Sequence, residues 1–209
     1  MQILNHKQGS PEWLDARSGI VTMSRLKDLL VNGKDASGFG SGAISYMHEL
    51  IGERMTGEAL PWQGNAHAER GHEMEPIARE LYEQATGNAT EEVGIIIRDV
   101  LRSNDVYCVG YSPDGLVGQD GAIEIKSKLP KFQVEVLLSG EIPKEHIAQI
   151  QGGLWASQRE WLDFVSYWPG MPLFVKRAYR DEKMISLIAE RVEAFYAEME
   201  RRMAMVMAA

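Results

Sequence analysis

Residues 112–126 constrain this chain more than any other stretch. They contain Ser112-Pro113-Asp114-Gly115 and, ten residues after the aspartate, Glu124-Ile125-Lys126. Pro113 and Gly115 bracket Asp114 and mark a turn. Residues 122–126 alternate apolar and polar, the period of a strand. Glu124 and Lys126 therefore share one face, with Ile123 and Ile125 on the other. Residues 106–111 also read as a strand. A hairpin through 116–121 would bring Asp114 level with Glu124, giving two carboxylates and a lysine on adjacent strands.

That grouping suits metal-dependent phosphodiester cleavage. Two carboxylates can hold a hard divalent cation such as Mg²⁺, which takes oxygen ligands. The cation generates a nucleophile from water and stabilises charge on phosphate. A lysine beside the acids can orient the water or neutralise developing charge. Taken singly, an aspartate in a turn and Glu-x-Lys on a strand are ordinary structural features, so the combination has to carry the argument.

Three further stretches join it. Glu12 to Ser24 reads EWLDARSGIVTMS, Gly71 to Glu75 reads GHEME, and Ala148-Gln149-Ile150-Gln151 precedes Trp155. With the Asp114 and Glu124–Lys126 segments, these resemble, in the same order, the lambda-type (YqaJ-like) phage exonucleases of the restriction-endonuclease-like superfamily. The resemblance covers about 13–161. It implies an α/β (α+β) fold with a central mixed sheet flanked by helices, in one nuclease domain. The implied activity is 5′→3′ digestion of linear double-stranded DNA from 5′-phosphorylated ends to mononucleotides, leaving a 3′ single strand. The implied cofactor is Mg²⁺, with Mn²⁺ as a substitute. The implied partners are DNA ends, two further copies in a homotrimeric ring, and a single-strand annealing protein. A phage or prophage origin and a bacterial cytoplasm go with these.

The resemblance also assigns residues. Asp114, Glu124, the Ile125 carbonyl and Glu75 fall at metal positions, Lys126 at the water, and Gln149 beside them. Arg17 and Ser24 fall at the 5′-phosphate, with Thr22 and Ser112 as contributors. Arginine grips phosphate through a fork of donors. Periodicity leaves some of this open. In a helix over 66–86, Met74, Ile77, Ala78, Leu81 and Ala85 share a face, with Glu75 and Glu73 on opposite borders; the family pattern selects Glu75. In a helix over 143–157, Gln151 falls near the stripe of Ile147, Ile150 and Leu154. Gln149 falls opposite, beside Gly152 and Gly153, which would admit a second backbone or a DNA strand; either glutamine could belong to the site. Ser24 also reads as the cap of a helix over 25–31. His146 stands where an aromatic residue is expected, and the 126–149 segment is shorter than in lambda-type members.

Composition agrees with a globular enzyme. With 209 residues the chain can bury roughly 70% of its unfolded surface. No apolar run nears the roughly 20 residues of a membrane span, and the first seven residues lack a signal peptide's apolar stretch. One cysteine, Cys108, excludes an intrachain disulfide framework and reads as a buried strand residue. The net charge of −8 disfavours broad DNA binding. A confined basic groove around Arg17, Arg25, Lys126 and Lys128 would reconcile that charge with DNA binding. Other expected elements are a Gly/Ser-rich mobile loop over 33–42, strands over 93–98, 161–168 and 173–179, and helices over 130–138 and 181–205.

Overall fold

Capping residues set several of the helix ends. The computed structural model describes residues 1–59, 66–102 and 105–209. Strand β1 (Gln2–Leu4) leads to helix α1 (Pro11–Arg17), and β2 (Val21–Thr22) runs into a 3₁₀ turn (Met23–Arg25) and short α2 (Leu26–Leu29). Helices α3 (Ser41–Thr56) and α4 (Ala66–Thr86) follow, then β3 (Ile95–Arg102), β4 (Asp105–Tyr111), β5 (Gly115–Val117) and β6 (Gly121–Lys126). The chain continues through α5 (Pro130–Ser139), α6 (Lys144–Ser157), β7 (Trp161–Ser166), β8 (Phe174–Tyr179) and α7 (Glu182–Met207). Ser10 Oγ caps α1, Asp181 caps α7, and Gly57 closes α3 with a φ of 70°. Such left-handed ends favour glycine.

The fold is mixed α/β, as expected, but the strands form two sheets rather than one. The first has the order β1-β3-β4-β2 and the second β5-β6-β7-β8. The expected hairpin therefore closes between β5 and β6, not between β4 and β6. β6 and β7 run parallel, with α5 and α6 forming the crossover. A large apolar cluster joins the first sheet to α3, α6 and α7. A smaller one packs Ala78 and Tyr82 of α4 on Ile123, Ile125 and Val165.

Helix α7 buries Ile185, Ile188, Val192, Phe195, Tyr196 and Met199, the i, i+3, i+4, i+7 spacing of an amphipathic helix. The Tyr196 hydroxyl accepts from the Val21 N–H (2.7 Å) and donates to the Cys108 carbonyl (2.6 Å), fixing β2 against β4. No described helix is long and apolar enough to cross a membrane.

Three expectations change. Residues 33–42 are pinned: Gly33 and Gly40 donate to the Gly38 and Val31 carbonyls (both 3.1 Å), and Phe39 is buried against Phe195. Cys108 is half-buried, not buried, and its thiol donates to Asp99 Oδ1 at 3.2 Å. Ser24 sits inside the 3₁₀ turn, so it caps no helix.

Candidate active site

The β5–β6 hairpin brings the first two acids together. Gly115 pairs with Ile123, so Asp114 stands beside Glu124. The Asp114 N–H donates to the Ile123 carbonyl (3.2 Å), and the Ile125 N–H donates to Asp114 Oδ2 (2.6 Å). The aspartate is therefore held by the backbone of the strand that carries its partner.

Glu124 is only 2% exposed. Its Oε1 accepts from Lys126 Nζ (2.5 Å) and from the Gln149 amide, whereas its Oε2 has no hydrogen-bond partner. The Tyr111 hydroxyl, buried nearby, approaches Glu124 without a well-formed hydrogen bond. Burial raises the Glu124 pKa, with Lys126 pulling the other way. For Lys126 burial alone would lower the pKa, but Glu124 and Asp114 outweigh it and the ammonium is favoured.

Glu75 arrives from α4, in a register that differs from the expected one. Ile77 is 43% exposed, and the inward residues are Ala78, Arg79 and Tyr82, in line with Glu75. Glu75 thus lies within the inward stripe rather than at its border, while Glu73 is exposed. Burial and then Asp114 push the Glu75 pKa up to about 7. The motif reading missed Arg79. This buried guanidinium donates to the Asp114 carbonyl (3.0 Å) and to Glu75 Oε1 (2.5 Å), and also pairs with Glu92. One side chain thereby ties the two acids' elements together. The i, i+4 spacing of Glu75 and Arg79 was the sequence signal available for it.

Among the described residues no three His, Cys, Asp or Glu side chains form a ready-made metal cage. The donor chemistry nevertheless fits a hard cation. Glu124 Oε2 is a buried oxygen without a hydrogen bond, and Asp114 and Ile125 line an adjoining cavity. Oxygen donors of this kind suit Mg²⁺.

Arg17, Thr22, Ser24 and Ser112 line one cavity of about 530 Å³ together with Asp114, Glu124, Lys126 and Gln149. Arg17 donates to Thr22 Oγ1 (3.3 Å) and lies over the Trp13 ring, 4.3 Å from its centroid. Burial lowers its pKa. Trp13 itself is core, and its indole N–H donates to the Gly94 carbonyl (3.1 Å) and Ser112 Oγ (3.0 Å). Tyr46 receives the Thr22 N–H at 3.0 Å, fixing this wall. Arg25 lines the cavity but is paired with Asp28 and Glu49 (both 3.0 Å). Glu75 and Ile125 line a second cavity that shares Asp114 and Lys126 with the first.

The two glutamines separate cleanly. Gln149 faces Glu124. Gln151 is buried elsewhere, donating to the Tyr179 carbonyl and accepting from the Asp181 N–H, both at 2.9 Å. Gly152 and Gly153 admit side chains rather than a backbone or DNA: an added Cβ would lie 2.1 Å from a Leu26 methyl carbon and 2.7 Å from the Tyr111 ring. His146 does stack, on Phe164 with centroids 5.3 Å apart. Burial drives its pKa down to about 3.

Two carboxylates and a lysine beside a cavity are chemistry that a nuclease could use, and comparison with known proteins supports a nuclease. Residues 12–160 match the model of the YqaJ-like viral recombinase domain. The chain belongs to that family. The alkaline exonuclease LHK-Exo of Laribacter hongkongensis superposes with a TM-score of 0.82 at 36% identity, over 95% of this chain and 97% of that one. Its complex with dAMP gives the same score and identity, over 94% and 96%. A phage-related exonuclease from Haemophilus somnus 129PT, 18% identical over 90% and 96% with a TM-score of 0.63, shares the fold. No curated protein gives a significant match.

Proposed function

We propose that the chain is a Mg²⁺-dependent exonuclease, with Mn²⁺ as a substitute, acting on linear double-stranded DNA. It digests 5′→3′ from 5′-phosphorylated ends, releases mononucleotides and leaves a 3′ strand for annealing-type recombination. The observation that carries this is the buried Glu124, with an unbonded Oε2, beside Asp114 and Lys126 in a cavity that also holds Arg17. Family membership and the alkaline exonuclease match support a nuclease acting on DNA. The dAMP complex of that relative supports a mononucleotide product.

Asp114, Glu124 and the Ile125 carbonyl would hold Mg²⁺, with Glu75 completing the set. When bound, Mg²⁺ makes water more acidic and offsets charge on the phosphate. Lys126 orients the attacking water and stabilises charge developing on the phosphate oxygens. Gln149 holds Glu124 in place and offers its amide to the same water. Arg17, with the hydroxyls of Thr22, Ser24 and Ser112, receives the terminal phosphate and sets the distance to the next phosphodiester. A homotrimeric ring around DNA, a single-strand annealing partner and residence in the cytoplasm of a phage-bearing bacterium complete the proposal.

Digestion of end-labelled duplexes in Mg²⁺, with and without chelator, tests it. Early release of the 5′ label, faster with a 5′-phosphate and with a closed circle left intact, is the expected result. Cutting of the circle would make the chain an endonuclease. Absence of any metal-dependent cleavage would make it a DNA-binding module.

A further inference from the structure

Tyr111 and Glu124 are both 2% exposed, and each buries an oxygen without a hydrogen-bond partner among the described residues: the Tyr111 hydroxyl and Glu124 Oε2. They come from different sheets, Tyr111 from the end of β4 and Glu124 from β6, and the hydroxyl lies beside the carboxylate. Buried polar groups in native folds are nearly always hydrogen-bonded, so two adjoining exceptions call for a reason.

Three other buried tyrosines complete their bonds. The Tyr82 hydroxyl donates to Asp163 Oδ2 (2.8 Å) and accepts from the Asn88 amide (3.1 Å). Those of Tyr46 and Tyr196 bond to backbone groups. Packing does not require the Tyr111 hydroxyl, because a phenylalanine ring would fill the same place in the apolar cluster. Yet α6 makes room for it. Gly153 lies against the ring, and an added Cβ would stand 2.7 Å from Cζ, the carbon that bears the hydroxyl. Four residues earlier the same helix carries Gln149, which bonds Glu124 Oε1. Lys126 and Gln149 thus hold one oxygen of Glu124, and no donor among the described residues holds the other.

We propose that Tyr111 is a positioning residue for the cation site: its hydroxyl donates to the Glu124 carboxylate in the Mg²⁺-loaded state and fixes the orientation in which Glu124 presents Oε2. The assignment rests on the nuclease reading, in which Glu124 is a metal ligand. In the free chain the bond is open and the carboxylate is held from one side only. In the loaded site Glu124 is gripped by Lys126 and Gln149 on one side and by Tyr111, from the first sheet, on the other. A hydrogen bond to a carboxylate is stronger than one between neutral groups, so closing it favours the loaded state. Tyr111 acts through Glu124 and not on the reacting atoms.

Mg²⁺ titration of the DNA-free chain, read as the rise in melting temperature, tests this together with single-turnover cleavage at limiting and at saturating Mg²⁺. Tyr111→Phe removes the hydroxyl and keeps the ring. In chelator its melting temperature should match wild type, because no made bond is lost. It should need about tenfold more Mg²⁺ for the same rise, the order expected for one hydrogen bond to a charged group. Cleavage should fall by a similar factor at limiting Mg²⁺ and recover to within about threefold of wild type at saturation, a split between affinity and rate that loss of packing would not produce. Tyr82→Phe, which breaks a made bond to Asp163, should do the opposite: melt lower in chelator and keep the wild-type Mg²⁺ response. A wild-type Mg²⁺ response from Tyr111→Phe would overturn the proposal, as would a loss of several degrees in chelator like that of Tyr82→Phe. A wild-type chain whose melting temperature does not respond to Mg²⁺ would overturn the metal-dependent nuclease reading, and this proposal with it.

Discussion

Two buried carboxylates on neighbouring strands of the second sheet have opposite surroundings. Asp163 on β7 and Glu124 on β6 are each 2% exposed, and β6 and β7 are paired along their length. Both oxygens of Asp163 are taken: Arg177 donates to each at 2.8 Å, and the Tyr82 hydroxyl donates to Oδ2 at 2.8 Å. Arg177 also lies 3.5 Å from the Trp161 ring centroid. Glu124 has two donors crowded on Oε1 and none on Oε2. Burying charge is costly unless it is paired and hydrogen-bonded. Asp163 meets that condition and serves the fold. Glu124 meets it only halfway, which is what a group reserved for a cation or substrate requires.

The largest expected effect would break the comparison at the open cluster. Lys126→Ala removes the ammonium beside Glu124 and should lower single-turnover cleavage about 1,000-fold, within the range for loss of an electrostatic catalytic group. Its melting temperature should change by only a few degrees. A variant cleaving at the wild-type rate would refute the role assigned to Lys126.

The closed cluster should respond the other way. Asp163→Asn leaves Arg177 without its counter-charge and weakens the Tyr82 bond. Breaking a buried pair costs about 3–5 kcal/mol, less here because Arg177 is 37% exposed, so about 2–3 kcal/mol of stability should be lost. Denaturant unfolding measures this, and the cleavage rate per folded molecule should stay within about twofold of wild type. A large fall in that rate would show that the two clusters are coupled.

The glutamines of α6 sharpen the same contrast two residues apart. Gln149→Ala should reduce cleavage about tenfold, a modest positioning effect, with little change in unfolding. Gln151→Ala leaves the Tyr179 carbonyl and the Asp181 N–H unpaired and should cost about 1–3 kcal/mol with little change in rate. The reverse pattern would exchange their roles.

What could be read from sequence follows the reach of the forces involved. The Asp114–Glu124–Lys126 geometry was legible because a turn and a two-residue period fix it locally. Long-range pairing is not local, so sequence alone does not show the division into two sheets and puts β4 where β5 lies. The register of helix α4 escapes the sequence pattern for a different reason. Its inward stripe carries Glu75 and Arg79 because it faces a polar site, so the apolar period pointed to Ile77, which is exposed. The glycines of α6 signalled a close approach without saying by what; the answer, Leu26 and Tyr111, lies on distant elements.

The smallest expected effect concerns pH, and its sign separates the open cluster from the rest. Glu75 and Glu124 are raised from 4.5 to about 7. Between those values the folded chain holds protons that the unfolded chain has released. Their contribution to stability is therefore full below about pH 4.5 and is lost as pH rises through about 7. His146, lowered from 6.5 to about 3, acts oppositely below pH 6.5, because the unfolded chain then binds its proton more readily. Comparing wild type with Glu124→Gln cancels the histidine. In chelator, wild type should lose melting temperature relative to that variant between pH 5 and 8. Added Mg²⁺ should restore it at pH 8, where the carboxylates are ionised, but hardly at pH 5. A Mg²⁺ shift of equal size at both pH values, or one retained in full by Glu124→Gln, would place the cation elsewhere and leave Glu124 as buried as Asp163 without the function that sets them apart.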